Sequence, residues 1–155
     1  MPLRLYRLGT AAFPVWDGAG AAAQGGRWNP SGVAVIYAAG ALSLAMLERL
    51  VQRRNLGRTL MVEAEAPSDL AIEDLMDRPP PNWRALGSPE AAAAGGEWVR
   101  SGRTPLLRVP SALVPREPNY LVNPAHRDAR RINVSAPELL AWDARLFGVP
   151  PPTPD

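Results

Sequence analysis

The 155-residue chain has no cysteine, no lysine, a single histidine and only 6% aromatic residues. Without cysteine there is no disulfide, no thiolate nucleophile and no zinc–thiolate site. Without lysine, Walker-type phosphate binding and Schiff-base chemistry are excluded, and all 17 basic side chains are arginine. One histidine, His126, is a poor basis for a histidine metal site or a Ser-His-Asp triad, so no metal is expected. No apolar run reaches the length of a membrane span, and the first residues lack the apolar centre of a signal peptide; a cytoplasmic protein is expected.

A hydrophobic content of 46% describes an ordinary globular chain, and 155 residues suit one core better than two. One domain over residues 1–149 is expected, followed by a disordered, proline-rich tail at 150–155. The net charge of +2, with arginines scattered among 15 acids, gives no strong sign of nucleic-acid binding.

Leu3 to Leu8 alternates as a strand, and residues 18–26 read as a small-residue loop. Val33 to Ala39 is β-branched and apolar after the turn-forming Asn29-Pro30-Ser31-Gly32, so it reads as a strand. Ala41 to Arg54 has the pattern of a helix, with Ser43 as its cap and Asn55-Leu56-Gly57 as its stop. Arg58 to Ala66 is expected as a strand and 67–86 as irregular chain. Pro89 to Ser101 reads as a second helix, weakened by Gly95-Gly96. Thr104 to Val109, Tyr120 to Val122 and Leu139 to Phe147 complete the expected strands. The class is α+β: mixed strands with two main helices.

Glu48 stands out on its helix. Its surface neighbours, three and four positions away, are Leu44, Ala45, Val51 and Gln52, whereas Arg49 and Arg53 share the adjoining, solvated face. A carboxylate so placed loses hydration and needs a partner from elsewhere. That partner is either a ligand or an arginine of another element. Arg27 follows Gly25-Gly26, where backbone can approach a ligand and a guanidinium can grip phosphate bidentately. A tight turn with a core tryptophan accounts for Gly25-Gly26-Arg27-Trp28 equally well.

Tyr37 either stacks on a planar ligand or fills the core. Ser111, after Pro110, either aims a hydroxyl into a cleft or makes an ordinary turn. Glu63 and Glu65 share one side of their strand and read as solvated. His126 and the cluster Arg127, Arg130 and Arg131 read as solvated surface.

Six segments, in order, carry a resemblance. They are Gly26-Arg27-Trp28-Asn29-Pro30, Val35-Ile36-Tyr37-Ala38-Ala39, Ser43-Leu44-Ala45-Met46-Leu47-Glu48, Val109-Pro110-Ser111-Ala112-Leu113, Asn119 to His126, and Trp142 to Phe147. Together they resemble the RES-domain toxins of bacterial toxin–antitoxin pairs. The resemblance implies a fold similar to the ADP-ribosyltransferases and a substrate, NAD, split at its nicotinamide–ribose bond. It implies Glu48, Ser111 and Tyr37 as catalytic residues, with Arg27, Trp28, Asn29 and Tyr37 on the dinucleotide.

Hydrolysis or phosphorolysis of NAD and ADP-ribosylation of a cellular protein are both compatible with it. The implied partner is an Xre-like helix-turn-helix antitoxin that occludes the cleft and makes any DNA contact. A reading of another class, a non-catalytic module binding nucleotide or RNA, rests on Arg27, Trp28 and the 127–131 arginines.

Overall fold

The computed structural model describes residues 1–52 and 56–148. Eight strands form one sheet: β1 (Leu3–Gly9), β2 (Ile36–Ala39), β3 (Thr59–Ala66), β4 (Ile72–Asp74), β5 (Leu106–Pro110), β6 (Pro118–Val122), β7 (Asn133–Val134) and β8 (Glu138–Leu140). Their order is β4-β5-β6-β2-β1-β3-β7, with β8 also on β3. Only β4 and β5 run parallel. Three α-helices, α1 (Ala19–Gln24), α2 (Leu42–Gln52) and α3 (Pro89–Ser101), and two 3-10 helices, Arg127–Arg131 and Ala144–Phe147, complete the mixed α/β domain.

Strand alternation sorts the core into two faces. Leu5, Ile36, Ala38, Ala64, Leu106, Tyr120 and Val122 point one way and pack with Leu70 and Ile132. On the other face α3 lays Ala91 and Trp98 against Val35, Leu107, Val109 and Leu121. There too α2 lays Leu44 and Ala45 against Leu8 and Ala39.

The middle of the sheet is barely joined. β2 pairs with β6 along its whole length and β1 with β3 along its own, but β1 meets β2 only at Tyr6 and Ala39. Beyond that rung the strands part, and the Arg7 guanidinium fills the fork, donating from Nε to the Val15 carbonyl (2.6 Å) and from Nη1 to that of Tyr37 (2.8 Å). Burial depresses the Arg7 pKa, the charge of Arg49 adds to that effect, and Asp17 opposes it.

Several expectations from sequence are corrected. Residues 19–24 form α1, because GAGAAAQ holds good helix formers between its glycines. The second strand begins at Ile36, not Val33. α2 begins at Leu42, so Ser43 lies inside the helix and exposed, not at its cap; Arg53, Arg54, Asn55 and the tail at 150–155 lie outside the described residues. The 67–86 stretch contributes β4, and Leu139 to Phe147 divides between β8 and a 3-10 helix capped by Asp143.

Candidate active site

Glu48 lies on the sheet-facing side of α2, half-buried, one turn beyond the buried Leu44 and Ala45. Its Oε1 accepts two hydrogen bonds, from Ser111 Oγ (2.9 Å) and from Asn119 Nδ2 (2.8 Å). None of the ion pairs among the described residues involves it. The carboxylate is therefore held by neutral donors, and the arginine alternative is not what the structure contains.

Ser111 is fully buried at the end of β5. Its hydroxyl accepts from Leu113 N and Val114 N, both at 3.1 Å, and donates to Glu48. One proton and two lone pairs exhaust a hydroxyl. Ser111 is thus a turn cap and a clamp on Glu48, with no capacity left to touch a ligand or attack one.

Tyr37 occupies the helix-bearing face of β2. Its hydroxyl donates to Asn29 Oδ1 (2.6 Å) and accepts from Trp28 N (3.0 Å). Burial pushes its phenol pKa upward. Asn29 is buried and spends Nδ2 on the carbonyls of Ala21, Pro30 and Val33. Trp28 is also buried, in the core with Trp98, and stacks on Trp83 with ring centroids 6.1 Å apart. Asn29 and Trp28 are therefore bonded into the scaffold, and Asn29 also lines the hollow beside Arg27. A Cβ on Gly26 would lie 2.7 Å from the Tyr37 hydroxyl oxygen. That glycine makes room for the tyrosine before it makes room for any ligand.

Arg27 is partly exposed. Its Nη1 donates to the carbonyls of Trp83 and Ala85, both at 2.9 Å. With Gly25, Gly26, Leu86 and Gly87 it lines a hollow of about 490 Å³. Arg84, between those two carbonyl acceptors, donates from its own Nε to the carbonyl of Ala112, beside Ser111 (2.9 Å).

These bonds, with one step between cross-strand neighbours, trace a circuit. Arg27 leads through Trp83–Ala85 to Ala112, then through Ser111 and Glu48 to Asn119. Asn119 pairs with Ala39, and Leu121 with Tyr37, so Tyr37 and Asn119 are diagonal neighbours on one face, roughly 7–8 Å apart. Tyr37 returns the circuit through Trp28 and Asn29 to Arg27. All six site residues expected from sequence belong to one connected assembly.

Sequence reasoning missed three parts. Asn119 lies just before the strand read at Tyr120 to Val122 and inside the observed β6, and nothing in its spacing announces a partner on α2. Arg7 did leave a signal, an arginine in phase with the core-facing Leu3 and Leu5. Arg49 is half-buried rather than solvated, with Nε sealed from water and without a hydrogen-bond partner among the described residues. His126 lines a separate hollow and accepts from Asp128 N (3.0 Å), which caps the 3-10 helix. Glu63 reaches Arg4 weakly, at 3.8 Å. No group of acidic or histidine side chains suited to a metal occurs among the described residues.

Comparison with known proteins shows the family and the fold. The chain is 40% identical over 138 residues to "Prs ADP-ribosylating toxin" of a Sphingobium species, covering 84% of this chain and 86% of that one. It is 38% identical over 154 residues to "Toxin Res" of Yersinia enterocolitica, covering 93% and 99%. In structure it is similar to a chain of the M. tuberculosis MbcT–MbcA toxin–antitoxin complex, with a TM-score of 0.70, 21% identity, and coverage of 96% and 88%. At that identity the likeness speaks for the fold alone. The model of the RES domain matches residues 4–143, which takes in the whole circuit from Arg27 to Asn119, and the chain belongs to the RES domain family.

Proposed function

We propose that this protein is the toxin of a toxin–antitoxin pair and that it consumes NAD by breaking the nicotinamide–ribose bond. The observation that carries the proposal is the Glu48 carboxylate, held at Oε1 by Ser111 and Asn119, with Oε2 unpartnered among the described residues. Support for the class of reaction comes from the 40%-identical relative named an ADP-ribosylating toxin. Support for an antitoxin partner, which we take to be Xre-like, comes from the toxin–antitoxin complex of the same fold.

Breaking an N-glycosidic bond develops positive charge on the sugar carbon and ring oxygen. Nicotinamide leaves as a neutral molecule from a cationic ring and needs little help from an acid. The protein must supply position and a negative field at the ribose. Glu48 supplies the field and accepts from a ribose hydroxyl through Oε2. Arg27, tethered at Nη1, has Nε and Nη2 without partners among the described residues and turns them to a phosphate or ribose oxygen. Tyr37 holds the Arg27 loop in place and offers its ring to the nicotinamide side.

Incubation of the purified protein with NAD, with and without inorganic phosphate, should release nicotinamide. The co-product identifies the acceptor: ADP-ribose for water, its 1-phosphate for phosphate. Glu48→Gln keeps the shape and removes the charge, so it should lose turnover by roughly a hundredfold or more with the fold intact. Turnover at the wild-type rate in that variant would end the proposal. Transfer to a protein side chain is the second reading, favoured by the name of the same relative; labelled NAD would then mark a protein band.

A further inference from the structure

We infer that Asn119 is a positioning residue of the reaction, one that fixes which oxygen of Glu48 does the work. The inference rests on the NAD reading above, but its physical basis stands apart from that reading. A carboxylate offers four lone-pair sites on two oxygens. Here both protein donors converge on Oε1, Ser111 Oγ at 2.9 Å from β5's end and Asn119 Nδ2 at 2.8 Å from β6. Two donors arriving from two adjacent strands stop the carboxylate from rotating about its terminal bond, so Oε2 faces away from both strands with its lone pairs free.

The two donors are not equivalent. Ser111 is buried and fully committed, and its hydroxyl is oriented by two backbone N–H groups. It is a fixed post. Asn119 is half-buried and has one amide proton on Glu48, leaving the other proton and the carbonyl without recorded partners among the described residues. Asn119 is therefore the donor that sets the carboxylate's rotation against the fixed Ser111.

The fold sets up this contact: Asn119 pairs across the ladder with Ala39, so both lie on the face that α2 covers with Leu44 and Ala45. Gly40, the next residue, leaves little room for a side chain, because a Cβ there would lie 3.3 Å from Pro118 and from Tyr120.

Two measurements test the inference. The first is nicotinamide release by Asn119→Ala and by the near-isosteric Asn119→Asp. Both should lower kcat by roughly tenfold to a hundredfold, with KM changed far less, because the lost bond matters most when charge develops at the ribose. The second is a double-mutant cycle on unfolding free energy, pairing Asn119→Ala with Glu48→Ala. A hydrogen bond between the two predicts that the second substitution costs less once the first is made. Additive costs together with an unchanged kcat would overturn the inference. If the wild-type protein releases no nicotinamide, the NAD reading falls, and the cycle alone decides whether Asn119 holds Glu48.

Discussion

Glu48 could be found from sequence because an unpaired carboxylate on an apolar helix face poses a question that only another element can answer. The answer, Ser111 and Asn119, was half legible: a serine leaving a strand is a visible candidate, an asparagine inside one is not. Trp28, Asn29 and Gly26 show the limit from the other side. Their residue types suit a ligand and suit a scaffold equally, and only the bonds to Tyr37 and the stack on Trp83 decide for the scaffold.

Tyr37 is accordingly a stability residue as well as a site residue. Tyr37→Phe should cost about 1–3 kcal/mol by orphaning Asn29 Oδ1 and Trp28 N, read as a lowered denaturant midpoint. Its phenol pKa is raised in the folded state above the ordinary 10.0, by burial first of all. A raised folded value means that its contribution is complete below the unfolded pKa and is lost as pH rises beyond it. Unfolding midpoints measured across the alkaline range should fall above about pH 10 in the wild type, and fall less steeply in Tyr37→Phe.

At the level of elements, α3 was read correctly end to end, since Ser88 caps it by accepting from Ala91 N and Gly102 closes it in the left-handed region. The Gly95-Gly96 pair looked like a weakness in that helix and is a packing requirement. A Cβ on Gly95 would be driven into the Trp28 carbonyl, so the helix approaches the Arg27 loop backbone to backbone. Gly95→Ala should therefore destabilise by about 3 kcal/mol or prevent folding. Gly20→Ala in α1, which meets nothing, should be neutral or gain about 0.5–1 kcal/mol. Denaturant melts of the two variants check the contrast. α1 itself escaped notice because a six-residue helix of alanine and glycine ending in Gln24 shows no apolar period, and the C-terminal stretch misled because Leu139, Leu146 and Phe147 are exposed and signal no core.

On the scale of the molecule, the α+β class was legible from alternating segments, but strand order was not. Consecutive strands β2 and β3 are separated by β1, and β4 reaches the far edge to run parallel with β5, arrangements set by tertiary packing rather than by any local pattern. Expression of the whole chain without a partner should arrest growth, whereas the Glu48→Gln form should be tolerated; arrest by both, scored as colony counts after induction, would separate toxicity from the carboxylate.

The lone rung between Tyr6 and Ala39 also bears on how the molecule breathes. Four strands lock on each side of it, while the fork itself is closed by one guanidinium. Amide protons followed by deuterium uptake should accordingly sort into two protected populations, β1 with β3 and β2 with β5 and β6, each opening as its own cooperative unit at a different denaturant concentration. The Glu48 carboxylate sits on the helix that spans that seam, so on the proposed mechanism whatever steadies the seam steadies the chemistry.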